Sequence, residues 1–398
     1  MNAMDHVRYL AEHIGARGST TLEEKEAATY VEKRLTSFGA PPTTETFRSA
    51  RSAWLPAALF WSITLASGFV FLAGGRLRAI IALALAVFGL VSILLELLFR
   101  PNPLRWILPK GDSQNVWARI EAEEEAREHV ALVAHMDTHR TPLVFSSRTW
   151  VRLFERLVPI GMGFAILLIV IFAVGIVLPM PILGAVALGP MFVATIMLIL
   201  MLQADFTSYA AGANDNASGV GVALSLAEKL AKSPLKHTKV WIVLTGCEEV
   251  GCYGADDFIC KHKRDLGNAA WISLDTIGSF RGSPVFLSQE TFLATSKSDE
   301  GLLDVMRSVA TAHPELGARE IRMKGSYTDG AMGVKHGLRA LTLESHQQDG
   351  TLSNWHQPTD TINAVFPECI QATESLVFEF LQQLDRNVRP DPTQSSTG

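Results

Sequence analysis

From Leu157 to Ala204 the chain carries no charged side chain. That run constrains the fold more than any other stretch, because a soluble helix seldom goes four turns without a charge. Its only break is near Pro179–Pro181. It therefore predicts a hairpin of two membrane-spanning helices, 157–179 and 183–203, each close to the roughly 20 residues that cross a bilayer. An earlier block repeats the pattern. Trp54–Gly75 has no charge, and Ala79–Phe99 has Glu96 alone. Residues 54–99 thus predict a first hairpin, turning at Arg76 and Arg78. The composition agrees: 48% of residues are hydrophobic and 19% charged, lean for a soluble protein, with the excess confined to these blocks.

Flanking charge predicts the orientation. Arg48, Arg51, Arg100, Arg105, Lys110, Arg148, Arg152 and Arg156 lie on the side shared with the remaining chain, and only Arg76 and Arg78 on the far side. The bias of cytoplasmic loops toward Lys and Arg makes the expectation an integral membrane protein of four spans with its soluble part in the cytoplasm. Each hairpin leaves and returns on one face. Residues 1–50, 104–150 and 205–387 are therefore expected to form one discontinuous domain, followed by a disordered tail, 388–398. Residues 1–50 lack an apolar signal-peptide core. Cys247, Cys252, Cys260 and Cys369 have no zinc-finger or disulfide-framework spacing, which fits a reducing compartment. A net charge of −5 without a basic run excludes nucleic acid as a natural partner. The oligomeric state stays open.

Outside the apolar blocks the pattern is α/β. Residues 3–16 and 22–38 read as amphipathic helices, the second capped by Thr20 or Thr21, with a short strand at Thr43–Phe47. Residues 115–122 and 129–138 read as neighbouring strands. Further strands are expected at Lys239–Thr245, Ala270–Leu274 and Arg339–Leu343. Helices are expected at Ser218–Lys232, 254–265, 300–313, 328–337 and 366–386. Such alternation implies a mostly parallel sheet covered on both faces.

Acids and imidazoles fall where these elements end. His135 and Asp137 end one strand, and Asp215 lies in the loop AGANDNASG before a helix. Glu248 and Glu249 end WIVLTGCEE, Asp275 ends WISLD, and His356 sits in NWHQPTDT. Ligands of open α/β sheets bind beyond the carboxyl ends of strands. Two divalent ions about 3.5–4 Å apart require a bridging carboxylate and an imidazole and carboxylate each. Asp215 suits the bridge, His135 with Asp275 one set, and Glu249 with His356 the other. Glu248 is left to act as general base, and Asp137 to orient His135.

AHMDT, GANDNASG, CEEVGCYGA, SLDTIG and WHQPTDT together resemble the motifs of the co-catalytic di-zinc aminopeptidases, the family of bacterial leucyl aminopeptidases and aminopeptidase Y. The likeness extends over nearly all of the chain outside the apolar blocks. It implies a Phosphorylase/hydrolase-like three-layer α/β/α sandwich with a mostly parallel mixed sheet, here interrupted by the two hairpins. It also implies two zinc ions (cobalt or manganese being alternatives) on the residues just named, and a cis peptide after Asp215. Two departures stand out. The loop between the His-x-Asp motif and the bridging Asp contains the second hairpin. Trp355 replaces the Tyr that precedes the last His in some members, so the oxyanion donor is open between Trp355 and Tyr327. Asp329 is a candidate for shaping the site, or else a helix N-cap.

The implied activity is hydrolysis of N-terminal residues from peptides with a free amine, with Glu248 activating a metal-bridging water. Because the second hairpin interrupts the chain between His135 and Asp215, the active-site mouth is expected to face the membrane surface and to favour amphipathic peptides. Three alternatives are an N-acyl amino acid amidohydrolase, a single-zinc glutaminyl cyclase, and a non-catalytic membrane scaffold of the same fold.

Overall fold

The structure is a computed structural model that describes residues 1–387. The expected tail, 388–398, lies outside the described residues. The chain divides into two compact units: Met1–Ser49, Gly111–His139 and Tyr209 onward form one, Ala50–Lys110 and Arg140–Ser208 the other.

The first unit is built on a nine-stranded mixed sheet. Its strands are β1 (Thr43–Ala50), β2 (Lys110–Ile120), β3 (Glu128–His135), β4 (Thr238–Thr245), β5 (Ala270–Leu274), β6 (Ser283–Thr291), β7 (Thr295–Lys297), β8 (Arg319–Lys324) and β9 (Arg339–His346). The order is β1-β2-β4-β3-β5-β9-β6-β7, with β8 beside β6. β4, β3, β5 and β9 run parallel, while β2 and β6 pair antiparallel with β4 and β9.

Period-two alternation divides the core into two layers. Val130, Leu132 and Ala134 of β3, Val240, Ile242 and Leu244 of β4, and Ala270, Ile272 and Leu274 of β5 point to one face. There they meet Val220, Leu224 and Ala227 of helix Gly219–Lys232 and Val377, Phe380 and Leu381 of helix Pro367–Asn387. The intervening Trp241 and Trp271 point to the other face, where both rings approach Phe258 of helix Tyr253–Leu266. This is the expected three-layer sandwich.

The structure corrects two expectations. β2 and β3 are not neighbours, because β4 lies between them. The link from β2 to β3 passes over the start of β4, where Glu123, Glu124 and Arg127 donate backbone N–H groups to Leu235, Lys236 and His237. β4 is almost wholly buried and takes a central place, whereas β2 carries exposed Arg119. β6, β7 and β8 were not foreseen. β7 and β8 are short and mostly polar, as edge strands tend to be.

The second unit holds four helices long and apolar enough to cross a membrane: Leu55–Leu72, Arg76–Leu97, Arg148–Val177 and Pro181–Asp205. The third begins ahead of the apolar run, in a charged turn capped by Ser147, whose side chain accepts the Trp150 N–H. Small residues mark the helix contacts. Ala82, Ala86 and Ala187 are buried, and Gly68 sits against Met191. Close backbone approach of this kind is also how helices associate where the hydrophobic drive is absent, as in lipid. Phe69, Leu77, Phe192 and Ile199 remain exposed, an outer surface suited to hydrocarbon. Asp205 accepts from Ser52, and Glu96 pairs with Arg105, within this unit.

Candidate metal centre

β3, β4 and β5 present their carboxyl ends side by side, and the acids follow immediately. His135 is the last residue of β3. Glu248 and Glu249 follow β4 after Gly246 and Cys247, and Asp275 follows β5. Parallel register keeps these ends level, with His135 opposite Thr245.

Asp215 comes from the turn Ala213–Ser218, and its peptide to Asn216 is cis. The Asn side chains of this turn lash it to the segment after β5. Asn216 donates to the Leu274 carbonyl and accepts from the N–H groups of Gly219 and Thr276, while Asn214 accepts from Gly278. Gly212 enters the turn at φ +60°, where a Cβ would lie 2.2 Å from Thr138. The Asp360 carboxylate accepts the backbone N–H groups of Asn214 and Asp215 at 2.8 and 3.0 Å. Opposite, the fully buried guanidinium of Arg17 donates to the carbonyls of Leu10, Gly15, Met136, Ala211 and Gly212. It thereby joins the chain after His135 to the chain before Asp215.

These supports bring one carboxylate between two imidazoles. Asp215 Oδ1 lies 3.3 Å from His135 Nε2, and Asp215 Oδ2 lies 3.3 Å from His356 Nε2. Asp275 Oδ2 is 3.7 Å from His135 Nε2, and Glu249 Oε2 is 3.3 Å from His356 Nε2. Glu248 Oε2 is 4.0 Å from His135 Nε2. His135 donates from Nδ1 to the Asp137 carbonyl at 3.1 Å. The Asp137 carboxylate accepts the N–H groups of Glu248 and Glu249 and the Ser19 hydroxyl. Asp137 therefore orients the imidazole and both glutamate backbones at once.

The pocket is buried and rich in carboxylates. Burial, reinforced by Glu249, Asp275 and Asp329 and opposed by His135, raises the Glu248 carboxyl well above its usual range. Burial and Asp215 do the same to Glu249. For Asp215 burial is overcome by hydrogen bonds from His135 and His356, which hold its pKa low. Burial disfavours a charged His135, but Asp275 and Glu248 outweigh it and raise its pKa well above 6.5. Acids packed this tightly invite a cation. Glu249 Oε1 is buried without a hydrogen-bond partner, as a ligand atom would be. The donors are nitrogen and oxygen in the mixture zinc takes. The residues present fit a metal.

All six acid and imidazole positions expected from the sequence, with Asp137, meet here. The two proposed oxyanion donors part company: Trp355 stacks on His356 at 4.1 Å between ring centroids, while Tyr327 packs edge-on against Phe292. Asp329 is not an N-cap. Thr328 caps that helix, and Asp329 accepts from the Thr245 hydroxyl at 2.6 Å. Sequence reasoning missed His139, Arg17, Asp360 and Glu24. The buried His139 stacks on His356 at 3.6 Å and groups with Glu249 and His356 as a possible metal ligand. Its signal was the alternation His135, Asp137, His139. Glu24 accepts the N–H groups of Thr20 and Cys247 beneath the pocket, and burial pushes its carboxyl up to about 8.

Comparisons with known proteins agree with this fold. A probable zinc metalloprotease of Leptosphaeria maculans is 39% identical over 79 residues, which are 20% of this chain and 18% of that protein. The match thus spans less than a fifth of the relative's length. A zinc aminopeptidase from Bacillus subtilis is similar with a TM-score of 0.56 at 14% identity, over 96% of this chain and 94% of that one. An aminopeptidase from Aneurinibacillus sp. strain AM-1 gives 0.57 at 15%, over 98% and 96%. Porphyromonas gingivalis glutaminyl cyclase gives 0.58 at 15%, over 96% and 97%. At such identities the likeness is one of fold. Residues 195–381, which carry Asp215, Glu248, Glu249, Asp275 and His356, match the model of peptidase family M28.

Proposed function

We propose that the chain is a membrane-anchored zinc aminopeptidase that removes N-terminal residues from peptides. The observation that carries this reading is the placing of Asp215, one oxygen 3.3 Å from each of two imidazoles. His135 and Asp275 would hold one ion, Glu249 and His356 a second, and Asp215 both. Zinc bound there would supply Lewis-acid polarisation of the scissile carbonyl and would acidify the attacking water.

The rest falls to the side chains. Glu248 takes a proton from the water that attacks the carbonyl carbon, then delivers it to the departing amine nitrogen. A buried carboxyl with a raised pKa suits both halves of that transfer. Asp137 keeps His135 and the backbone of Glu248 and Glu249 in register through the hydrogen bonds above. The acidic wall at Glu249 favours a free α-ammonium on the substrate. Trp355, beside His356, is assigned the oxyanion side; Tyr327 is assigned the rim. The apolar helices anchor the protein in a lipid bilayer, and the flanking arginines place the catalytic segments on the cytoplasmic side.

The test is hydrolysis of aminoacyl anilides by the full chain in detergent, with chelator, after zinc is restored, and with Glu248→Ala. The expected result is zinc-restored turnover that falls about 10²–10⁴-fold in the variant while metal content is unchanged. Turnover of N-acyl amino acids instead would assign an amidohydrolase. A chain that binds no metal and hydrolyses neither would be a scaffold.

A further inference from the structure

Glu248 stands at the start of a tight turn. The N–H groups of Gly251 and Cys252 both donate to the Glu248 carbonyl, at 2.8 and 2.7 Å. Cys252 adopts φ +51° there, a left-handed conformation that non-glycine residues seldom take. Such departures gather at functional sites. The turn closes onto helix Tyr253–Leu266, for which Cys252 is the N-cap residue. Its thiol makes no capping bond. Instead the thiol donates to Glu248 Oε1 at 3.2 Å. Among the described residues this is the sole hydrogen bond that reaches the Glu248 carboxylate from a side chain or backbone donor.

A second carboxylate is close to the same thiol. Glu248, Cys252 and Asp329 bring their polar atoms within 4.8 Å of one another, all buried. Asp329 takes the Thr245 hydroxyl on Oδ2, and its Oδ1 is buried without a hydrogen-bond partner. A thiol has one proton to give. It is given to Glu248, which otherwise faces the buried Asp329 with no hydrogen-bond donor on its carboxylate among the described residues. Oε1 is thereby occupied, and Oε2 is the oxygen left facing His135.

We infer that Cys252 is a positioning residue that pins the Glu248 carboxylate by one oxygen, so that the other oxygen alone performs the proton transfer. The inference rests on the reading of Glu248 as general base. It requires a side chain at residue 252 that can donate a hydrogen bond, and it places the effect on turnover rather than on substrate binding. A carboxylate free to rotate would spend most of its time in unproductive rotamers, whereas the ligands that bind substrate would be untouched.

The experiment compares zinc-loaded full-length wild type, Cys252→Ala, Cys252→Ser and Glu248→Gln on whichever amide the wild type hydrolyses, aminoacyl anilide or N-acyl amino acid. Zinc content and thermal midpoint are read in parallel. Cys252→Ala is expected to lose about tenfold in kcat with KM within about twofold and zinc content unchanged. Cys252→Ser, which keeps a donor, is expected to recover at least about a third of wild-type kcat. An alanine variant with kcat within about twofold of wild type, or a folded serine variant as slow as alanine, would overturn the inference. If alanine fails to fold, the serine variant decides alone by the same threshold. Glu248→Gln with undiminished turnover, or a wild type inactive on both amides, would instead remove the general base and the inference with it.

Discussion

Single residues in this protein show how burial turns a carboxyl into a pH-sensitive element. Glu290 is buried and accepts from the Thr328 N–H and the hydroxyls of Thr328 and Thr342. Burial, opposed by the Thr342 hydroxyl and reinforced by Glu344, pushes it up to about 7 from 4.5. A carboxyl whose folded pKa is raised adds stability that is complete below the unfolded value and is lost as pH climbs through the folded one. Stability from Glu290 should therefore be present below pH 4.5 and fade by pH 7. Glu290→Gln should remove that slope, gaining up to about 3 kcal/mol over wild type at pH 8 and little at pH 5. Urea unfolding at the two pH values measures it, and equal differences at both would refute it. The same scale shows what the sequence could and could not disclose. His135, Glu248, Glu249 and Asp275 were legible because each follows an apolar run with a group that needs a reason to be there, and Asp215 and His356 through the loop motifs GANDNASG and WHQPTDT. Arg17 and Asp360 were not, because their bonds go to backbone atoms far away in sequence, which leave no trace in residue type.

Among elements, the turn Ala213–Ser218 depends most on others for its shape. Its own residues supply Asn214 and Asn216 as tethers, but two of its N–H groups end on Asp360, 145 and 146 positions away. Asp360→Ala should leave those donors buried and unpaired, at about 1–3 kcal/mol. Metal affinity should fall about 10–100-fold, as it does when a supporting partner of a ligand is removed. Competition with a chromophoric chelator reads the affinity directly; an unchanged value would mean the turn holds its form alone. The central strands were legible because β4 and β5 are continuous apolar runs bounded by turns. β8, REIRMK, was not, since a polar strand at the margin of a sheet has the composition of a loop. The error over β2 and β3 has another cause: nearness in sequence suggested neighbouring strands, whereas the order of a mixed sheet is decided by where the crossover helix Gly219–Lys232 returns the chain.

For the whole molecule the apolar helices set the expectation. The protein should remain with membranes through alkaline carbonate and enter solution only with detergent. With the exposed native thiol removed by Cys260→Ser, Arg76→Cys should react with an impermeant maleimide from the non-cytoplasmic side only, since Arg76 begins the second of the four helices. Release by carbonate, or labelling from the opposite side, would refute anchoring or orientation respectively.

The interruption of the first unit has a consequence for synthesis. His135 leaves the ribosome before residues 140–208, and Asp215 and the other acids follow them. At about 5–20 residues per second, His135 waits several seconds for Asp215 while the apolar hairpin is being synthesised. His356 arrives later still. The full set of ligand side chains is absent until translation is nearly finished, so a nascent chain stalled in the second hairpin holds His135 and His139 without the carboxylates of Asp215, Glu248, Glu249 and Asp275.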